Sequence, residues 1–368
     1  QDQESRLGSH LRAADGVKEL SLGPRPDDLA DVLTAIAIAG PGICALRALS
    51  RVTGGTDALV NPDIRDAAYR IGQGLRSLFN KPEIVALLRS GEDESYWRAV
   101  LEHAVDGCLQ AVLDEYVHVL VESEGLQDAD HLQRAETLAE TITEALSTRA
   151  ATNTVEQVEV ADSEIRLNEH RMSSHFAARY GRAQSDDKAA MRESTIRTAY
   201  NSPFRPFVLA STSVGQEGLD FHTYSHAIVH WNLPGNPVDL EQREGRVHRY
   251  KGHAVRKNVA ADHGHAAVNG AGTDPWEALF QSAQASDSGS SNIKPFWIYT
   301  RPEGAVIERY VPALPLSREA QQYRRLLRTV GAYRLVIGQP RQDDLVRYVG
   351  GDVDWLRIDL TPPRSATS

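Results

Sequence analysis

Cysteine is nearly absent from this chain. Of its 368 residues only Cys44 and Cys108 carry thiols. They have no C-x-x-C spacing, so a disulfide framework is excluded and a reduced, cytoplasmic compartment is expected. Uninterrupted hydrophobic runs are also short. The most apolar stretch, Leu33 to Leu46, contains Gly40, Pro41 and Gly42 and reads as a buried helix and its turn, not a membrane span. No signal peptide is visible, and the first residue is Gln1, so a fragment or trimmed chain is expected. A positive balance is lacking too. The 40 Lys and Arg stand against 50 Asp and Glu, for a formal net charge of −10. That excludes a whole-surface nucleic-acid binder but permits a local basic track. The dipeptide Gly-Lys occurs nowhere, which removes the phosphate loop G-x-x-x-x-G-K-[ST]. There is no internal repeat.

What remains is ordinary for a soluble globular chain of two or three domains, with 41% hydrophobic and 24% charged residues. Residues 1–60 read as a partly helical connecting segment with Gly-Pro punctuation, and 61–150 as a helical domain. Tyr96, Trp97, Val100, Leu101, Ala104, Cys108, Val112, Tyr116 and Val119 recur at three- and four-residue intervals, which predicts one amphipathic helix. Leu132 to Leu146 predicts another, and Asn80-Lys81-Pro82-Glu83 a break with a fresh helix start. The texture then changes. Val155, Val158 and Val160 suggest a strand, His175 to Tyr180 a second, and Asp187 to Tyr200 a helix. Phe207 to Ala210 and Ala227 to Trp231 read as buried parallel strands. Asn236-Pro237 supplies a cap and a first-turn proline for a helix expected to run through Arg249. Residues 254–292, rich in Ala, Gly, Ser and His, read as a mobile insertion. Phe296 to Tyr299 and Val306 to Val311 are candidates to pair with each other, and Leu316 to Ile337 reads as a long basic helix. Residues 341–368 are expected to hold a short helix and a tail. Strands alternating with helices indicate an α/β fold with a parallel sheet covered by helices.

Two strings carry chemistry. The first is Ser211-Thr212-Ser213-Val214-Gly215-Gln216-Glu217-Gly218-Leu219-Asp220. The second, about thirty residues on, is Gln242-Arg243-Glu244-Gly245-Arg246-Val247-His248-Arg249, a Q-x-x-G-R-x-x-R pattern. From Arg243 to Lys257 six Lys or Arg residues face one acid, Glu244. A second basic set, Arg318, Arg324, Arg325, Arg328 and Arg334, reads equally well as solvated helix faces. On a helix, Arg246 and Arg249 would project from one face and could meet the same phosphate.

The two strings resemble motifs V and VI of superfamily 2 helicases and translocases, in that family's order and spacing. Leu219-Asp220-Phe221, Asn232-Leu233-Pro234 and Tyr333 to Arg341 resemble its Swi/Snf-like branch, in particular bacterial helicase-related proteins. The likeness covers roughly residues 150 to 345. It implies a RecA-like C-terminal lobe over 151–340. Arg249 would be the arginine finger, with Arg246 beside it, and Gln242, Gly245, Asp220 and Gly218 would lie on the ATP side. Ser211, Thr212, Gly215 and Gln216 would touch nucleic acid, DNA by family analogy. The first lobe, which holds most of the ATP and Mg2+ contacts, is missing, so it would act in cis upstream or in trans, and the fragment alone is expected to be inactive. No membrane partner is implied.

Other patterns are weaker. Leu113-Asp114-Glu115-Tyr116-Val117-His118 has the wrong spacing for an acidic magnesium motif and lies in a helical pattern. Glu115-x-x-His118 and Asp128-x-x-His131 lack the further carboxylates of a di-iron site. His248, His253, His263 and His265 lack cysteine company for zinc, so no metal site is expected. Trp276, Trp297 and Trp355 fit a core better than base stacking. Two rival readings stand beside the motor: a non-catalytic nucleic-acid-binding module that retains the lobe fold, and a protein-interaction subunit built on residues 62–148. The latter requires Trp97 and Leu101 in one exposed apolar patch.

Overall fold

The computed structural model describes residues 24–88, 95–147, 151–161, 164–174, 195–204, 206–210, 221–269, 273–286, 293–312 and 316–337, with Arg12, Asp15 and Gly16. Two compact units divide the chain. The first comprises Gln1–Gly215 and Asn258–Tyr299, the second Gln216–Lys257 and Thr300–Ser368.

The first unit is built on helices: α1 (Leu29–Ala39), α2 (Pro41–Val52), α3 (Pro62–Phe79), α4 (Pro82–Leu88), α5 (Tyr96–Asp106), α6 (Leu109–Ser123) and α7 (His131–Ser147). The stretch Leu29–Val52 is apolar enough to cross a membrane, with a mean hydropathy of 1.9. It breaks at Gly40, however, and α2 buries Cys44, Ala45, Ala48 and Leu49 in the bundle. The expected buried helix is thus seen only in α2, because Leu33, Ile36 and Ile38 of α1 are exposed.

Chain direction is set by small local signals. Asn61 caps α3 by accepting from the Asp63 N–H at 2.9 Å, and Pro62 opens the helix. The expected break at Asn80 to Glu83 is present. The single helix expected over Tyr96 to Val119 is instead two, because Gly107 ends α5 and Cys108 takes φ 49° before α6 starts. Apolar periodicity continues across such a joint and cannot reveal it. Helix α3 packs on α2 and α7, where Ile64, Ile71, Leu75, Leu138, Ile142 and Leu146 are buried. A Cβ on Gly72 would stand 3.0 Å from the Gly42 Cα, so α2 and α3 meet backbone to backbone. Arg134 donates to the carbonyls of Leu126 (2.9 Å), Gln127 (2.7 Å) and Val52 (2.5 Å), tying the end of α2 to the turn before α7.

After α7 an antiparallel hairpin forms from β1 (Ala151–Ala161) and β2 (Glu164–Ser174), in register from Ala151↔Ser174 to Ala161↔Glu164. The strand expected at His175 to Tyr180 lies outside the described residues, and of the expected helix only 195–200 is described, as helix. Phe207 and Val208 are exposed, and no described strand pairs with them. The buried parallel strand expected there is therefore not observed. A four-residue apolar run signals hydrophobicity but not a pairing partner.

The stretch expected to be a mobile insertion folds as two helices, α8 (His253–Asn269), whose first residues belong to the second unit, and α9 (Pro275–Ser286). Alanine, the best helix former, outweighs the glycines. Helix α9 buries Trp276, Leu279 and Phe280, while Trp297 is half exposed and Trp355 lies outside the described residues. His118 on α6 is stacked on Trp276 and Phe280, and its Nδ1 lies 2.6 Å from Asp274 Oδ2. Its role is thus to seat α9 on α6.

In the second unit β3 (Ala227–Val229) pairs with β4 (Glu308–Tyr310). Val306 to Val311 thus contains a strand, but it pairs in parallel with β3 and not with Phe296 to Tyr299. The parallel arrangement expected from the sequence is present in these two strands, but the burial expected over Ala227 to Trp231 is not, since Ala227, Val229 and Trp231 are exposed. A full RecA-like sheet is not seen among the described residues, which are mostly helical. Helices α10 (Pro237–Glu244) and α11 (Glu319–Ile337) pack through Leu240, Leu326 and Val330, with Leu233 and Leu327 at the margin.

Candidate nucleotide and nucleic-acid site

The second string begins on α10 and leaves it. Asn236 caps the helix by accepting from the Asp239 N–H at 2.8 Å, and its amide donates to the Asp239 carboxylate at 2.9 Å. Leu240, only 1% exposed, fixes the helix against α11. The helix was expected to continue through Arg249 but stops at Glu244. Gly245 caps it, donating to the Glu241 carbonyl at 2.7 Å. A continued helix would have used the Arg246 carbonyl for Tyr250; instead that carbonyl accepts from the Phe221 N–H at 3.2 Å. Val247 turns inward and is buried. Arg246 and Arg249 therefore share a turn, not a helix face. Arg246 is half-buried, while Gln242 and Arg249 are exposed.

Phe221 directly follows Asp220, the last residue of the first string, so its bond to Arg246 joins the end of that string to the arginine turn. The string itself lies outside the described residues: Ser211, Thr212, Gly215, Gln216, Gly218 and Asp220 have no structural account here.

Two residues that the sequence reading did not single out organise the turn. Arg256, 1% exposed, donates from Nη1 to the Lys251 carbonyl at 2.7 Å and from Nη2 to the Thr223 carbonyl at 2.5 Å. Its guanidinium lies 5.2 Å from the Tyr224 ring centroid. It thereby clamps the segment after the first string to the end of the second. Lys251 holds φ 46°, a left-handed conformation that costs a non-glycine residue about 1 kcal/mol and persists because it is buried and bonded. In the sequence Arg256 belongs to a basic run, and its place between the apolar Val255 and Val259 is the available signal.

The second is Glu244. Its carboxylate pairs with Arg309 of β4, and His230 Nε2 lies 3.4 Å from its other oxygen. Burial works to raise the Glu244 pKa, but His230 and Arg309 outweigh it and hold the carboxyl below its usual range. Burial likewise opposes the charge on Arg309, which Glu244 more than restores. Separated by 65 positions, the pair leaves no local trace in the sequence.

His253 opens α8 with its N–H donating to the His222 carbonyl at 3.3 Å, and its ring lies 5.4 Å from that of His226. Burial first, then Arg256, His226 and Lys257, push its pKa down to about 4, so it is neutral at physiological pH. No cluster of metal-ligating side chains occurs among the described residues. The turn offers exposed and half-exposed guanidinium groups on a braced backbone, chemistry suited to a phosphate's developing charge. As for the protein-interaction reading, Trp97 is 50% exposed beneath Arg98 but Leu101 is buried, so the two do not form one exposed patch.

Residues 133–251 match the family described as the helicase conserved C-terminal domain. The match begins inside α7, contains both strings and ends two residues past Arg249. It supports a helicase C-terminal lobe in this chain, and with it a helicase-type, nucleic-acid-related role. No curated protein and no solved structure matches the chain.

Proposed function

We propose that this chain supplies the second lobe of an ATP-dependent helicase or translocase of the Swi/Snf-like branch of superfamily 2, acting on DNA. Ser211, Thr212, Gly215 and Gln216 contact the nucleic-acid backbone. Gly218, Asp220, Gln242 and Gly245 line the nucleotide side, with Arg246 beside Arg249, the arginine finger. The phosphate loop and the Mg2+ ligands come from a first RecA-like lobe, in cis or in trans, consistent with the absence of Gly-Lys from this sequence. Opening and closing of the cleft between the lobes would move the backbone-binding loop along the nucleic acid.

The observation that carries this reading is the Phe221 N–H to Arg246 carbonyl bond. It joins Phe221, the residue after the first string, to the start of the arginine turn, which supports coupling of a nucleic-acid contact to a nucleotide contact. Clamping by Arg256 supports it further, because a fixed finger needs no reorganisation when phosphate charge develops.

ATP turnover, with and without DNA, should be measured for this chain alone and for an assembly that includes a phosphate-loop lobe. The assembly is expected to turn over in a DNA-stimulated manner, and Arg249→Ala to reduce that rate by about 10³-fold. Turnover by the chain alone, or an Arg249→Ala assembly that works normally, would refute the assignment. DNA binding without turnover in any assembly would favour a non-catalytic module.

A further inference from the structure

In the second unit an open cavity of about 670 Å3 lies between the start of α10 and one face of α11. Its rim carries two guanidinium groups, Arg318 and Arg325, and its other polar groups include Gln321, Thr329 and Asn236. Leu326 forms its floor and belongs to the cluster with Leu240 and Val330 that locks the two helices together. Gln322 Nε2 donates to the Pro234 carbonyl at 3.2 Å, tying α11 to the loop before α10. The walls are therefore fixed by packing, not by the rim residues themselves.

Its charge is one-sided. No Asp or Glu lines it among the described residues. The nearest acid on α10, Asp239, is already engaged by the Asn236 amide. A solvated basic helix normally interleaves its arginines with carboxylates at i,i+4. Here positions 318, 322, 325 and 329 share one face, and that face holds cations and neutral donors only. Arg324 and Arg328 do not line the cavity.

The spacing of the two arginines suits an extended polyanion. Arg318 immediately precedes α11 and Arg325 lies seven positions on, so a rise of about 1.5 Å per residue sets them roughly 10 Å apart. Two guanidinium groups at that spacing can take different phosphates of one strand. The amide and hydroxyl donors between them suit the intervening phosphate oxygens and sugars.

We propose that this groove is a second binding site for the sugar-phosphate backbone of nucleic acid, separate from the first string, with Arg318 and Arg325 each taking one phosphate. The assignment rests on the helicase reading above. Helix α10 carries the groove at its start and leads into the arginine turn at its end, so both sites share one rigid element.

The test is anisotropy of a fluorescein-labelled duplex DNA titrated with the 368-residue chain over a range of KCl concentrations. Each lost phosphate contact should reduce the magnitude of the slope of log K against log salt by about 0.9. Arg318→Gln/Arg325→Gln is expected to reduce it by about 2 and to weaken binding at least 10-fold near 0.1 M salt. Arg324→Gln/Arg328→Gln removes the same charge from the same helix and should leave the slope within about 0.5 of wild type. Arg318→Lys/Arg325→Lys should keep most of it. All four are exposed, and unchanged thermal melts will verify folding. An unaltered slope in Arg318→Gln/Arg325→Gln, or equal losses in the two Gln doubles, would overturn the groove while leaving the helicase reading intact. Failure of the wild-type chain to bind DNA at all would remove both. Calorimetric binding of inorganic phosphate that requires Arg318 and Arg325, without any DNA effect, would reassign the groove to a free anion.

Discussion

Arg256→Ala should free both ends of the arginine turn. The wild-type guanidinium makes bonds of 2.7 and 2.5 Å to the Lys251 and Thr223 carbonyls and lies over Tyr224. Two charge-assisted bonds contribute about 1.5–3 kcal/mol each, and the ring contact about 1 kcal/mol. Removing the side chain also relieves the cost of burying a charge, which offsets part of this. A net loss of about 2–4 kcal/mol remains, or roughly 30-fold or more in the local opening equilibrium. Native-state hydrogen exchange reads this directly at the Phe221 and His253 amides, which bond to the Arg246 and His222 carbonyls. The His230 and Glu308 amides, bonded within the β3–β4 ladder, serve as the internal reference and should change much less. Arg256→Lys should fall between, because one ammonium cannot span two carbonyls as a planar fork does. Unchanged exchange at Phe221 and His253, or uniform acceleration that includes the ladder, would refute the clamp.

Two further predictions concern pH. His253 titrates near 4 when folded but near 6.5 when unfolded, so the unfolded chain holds the extra proton between those values. Stability of the second unit should therefore fall by about 3 kcal/mol as pH drops through that window. His253→Gln should flatten the dependence in urea melts, and an identical slope in the variant would refute the assignment. Asp114 behaves in the opposite sense. Burial raises its carboxyl to about 6 against the pull of Arg51 and Gln110, with Asp274 adding to the rise. Between 3.8 and 6 the folded helical unit keeps a proton that the unfolded chain loses, so its stability should decrease by about 3 kcal/mol as pH rises through that range. Asp114→Asn should abolish that slope; retention of the slope would place the titrating group elsewhere.

Sequence alone determined the features written in local chemistry. Asn236-Pro237 announces a helix start, because a side-chain acceptor and a fixed φ act within one turn. The order and spacing of Ser211 to Asp220 and Gln242 to Arg249 indicated a helicase-like lobe, and the family match over 133–251 supports that lobe. Tertiary structure decided what no local pattern encodes. It ended α10 at Glu244, with Gly245 as the cap, and turned the following chain so that the Arg246 carbonyl accepts from Phe221, some twenty-five residues upstream. It joined Glu244 to Arg309 across 65 residues and gave Val306 to Val311 a parallel partner in β3 instead of a neighbour in sequence. It also separated the arginines of the C-terminal set into those that line a cavity and those that do not. Hydrogen-bond competition and burial are decided between distant segments, and periodicity in one segment carries no information about the other.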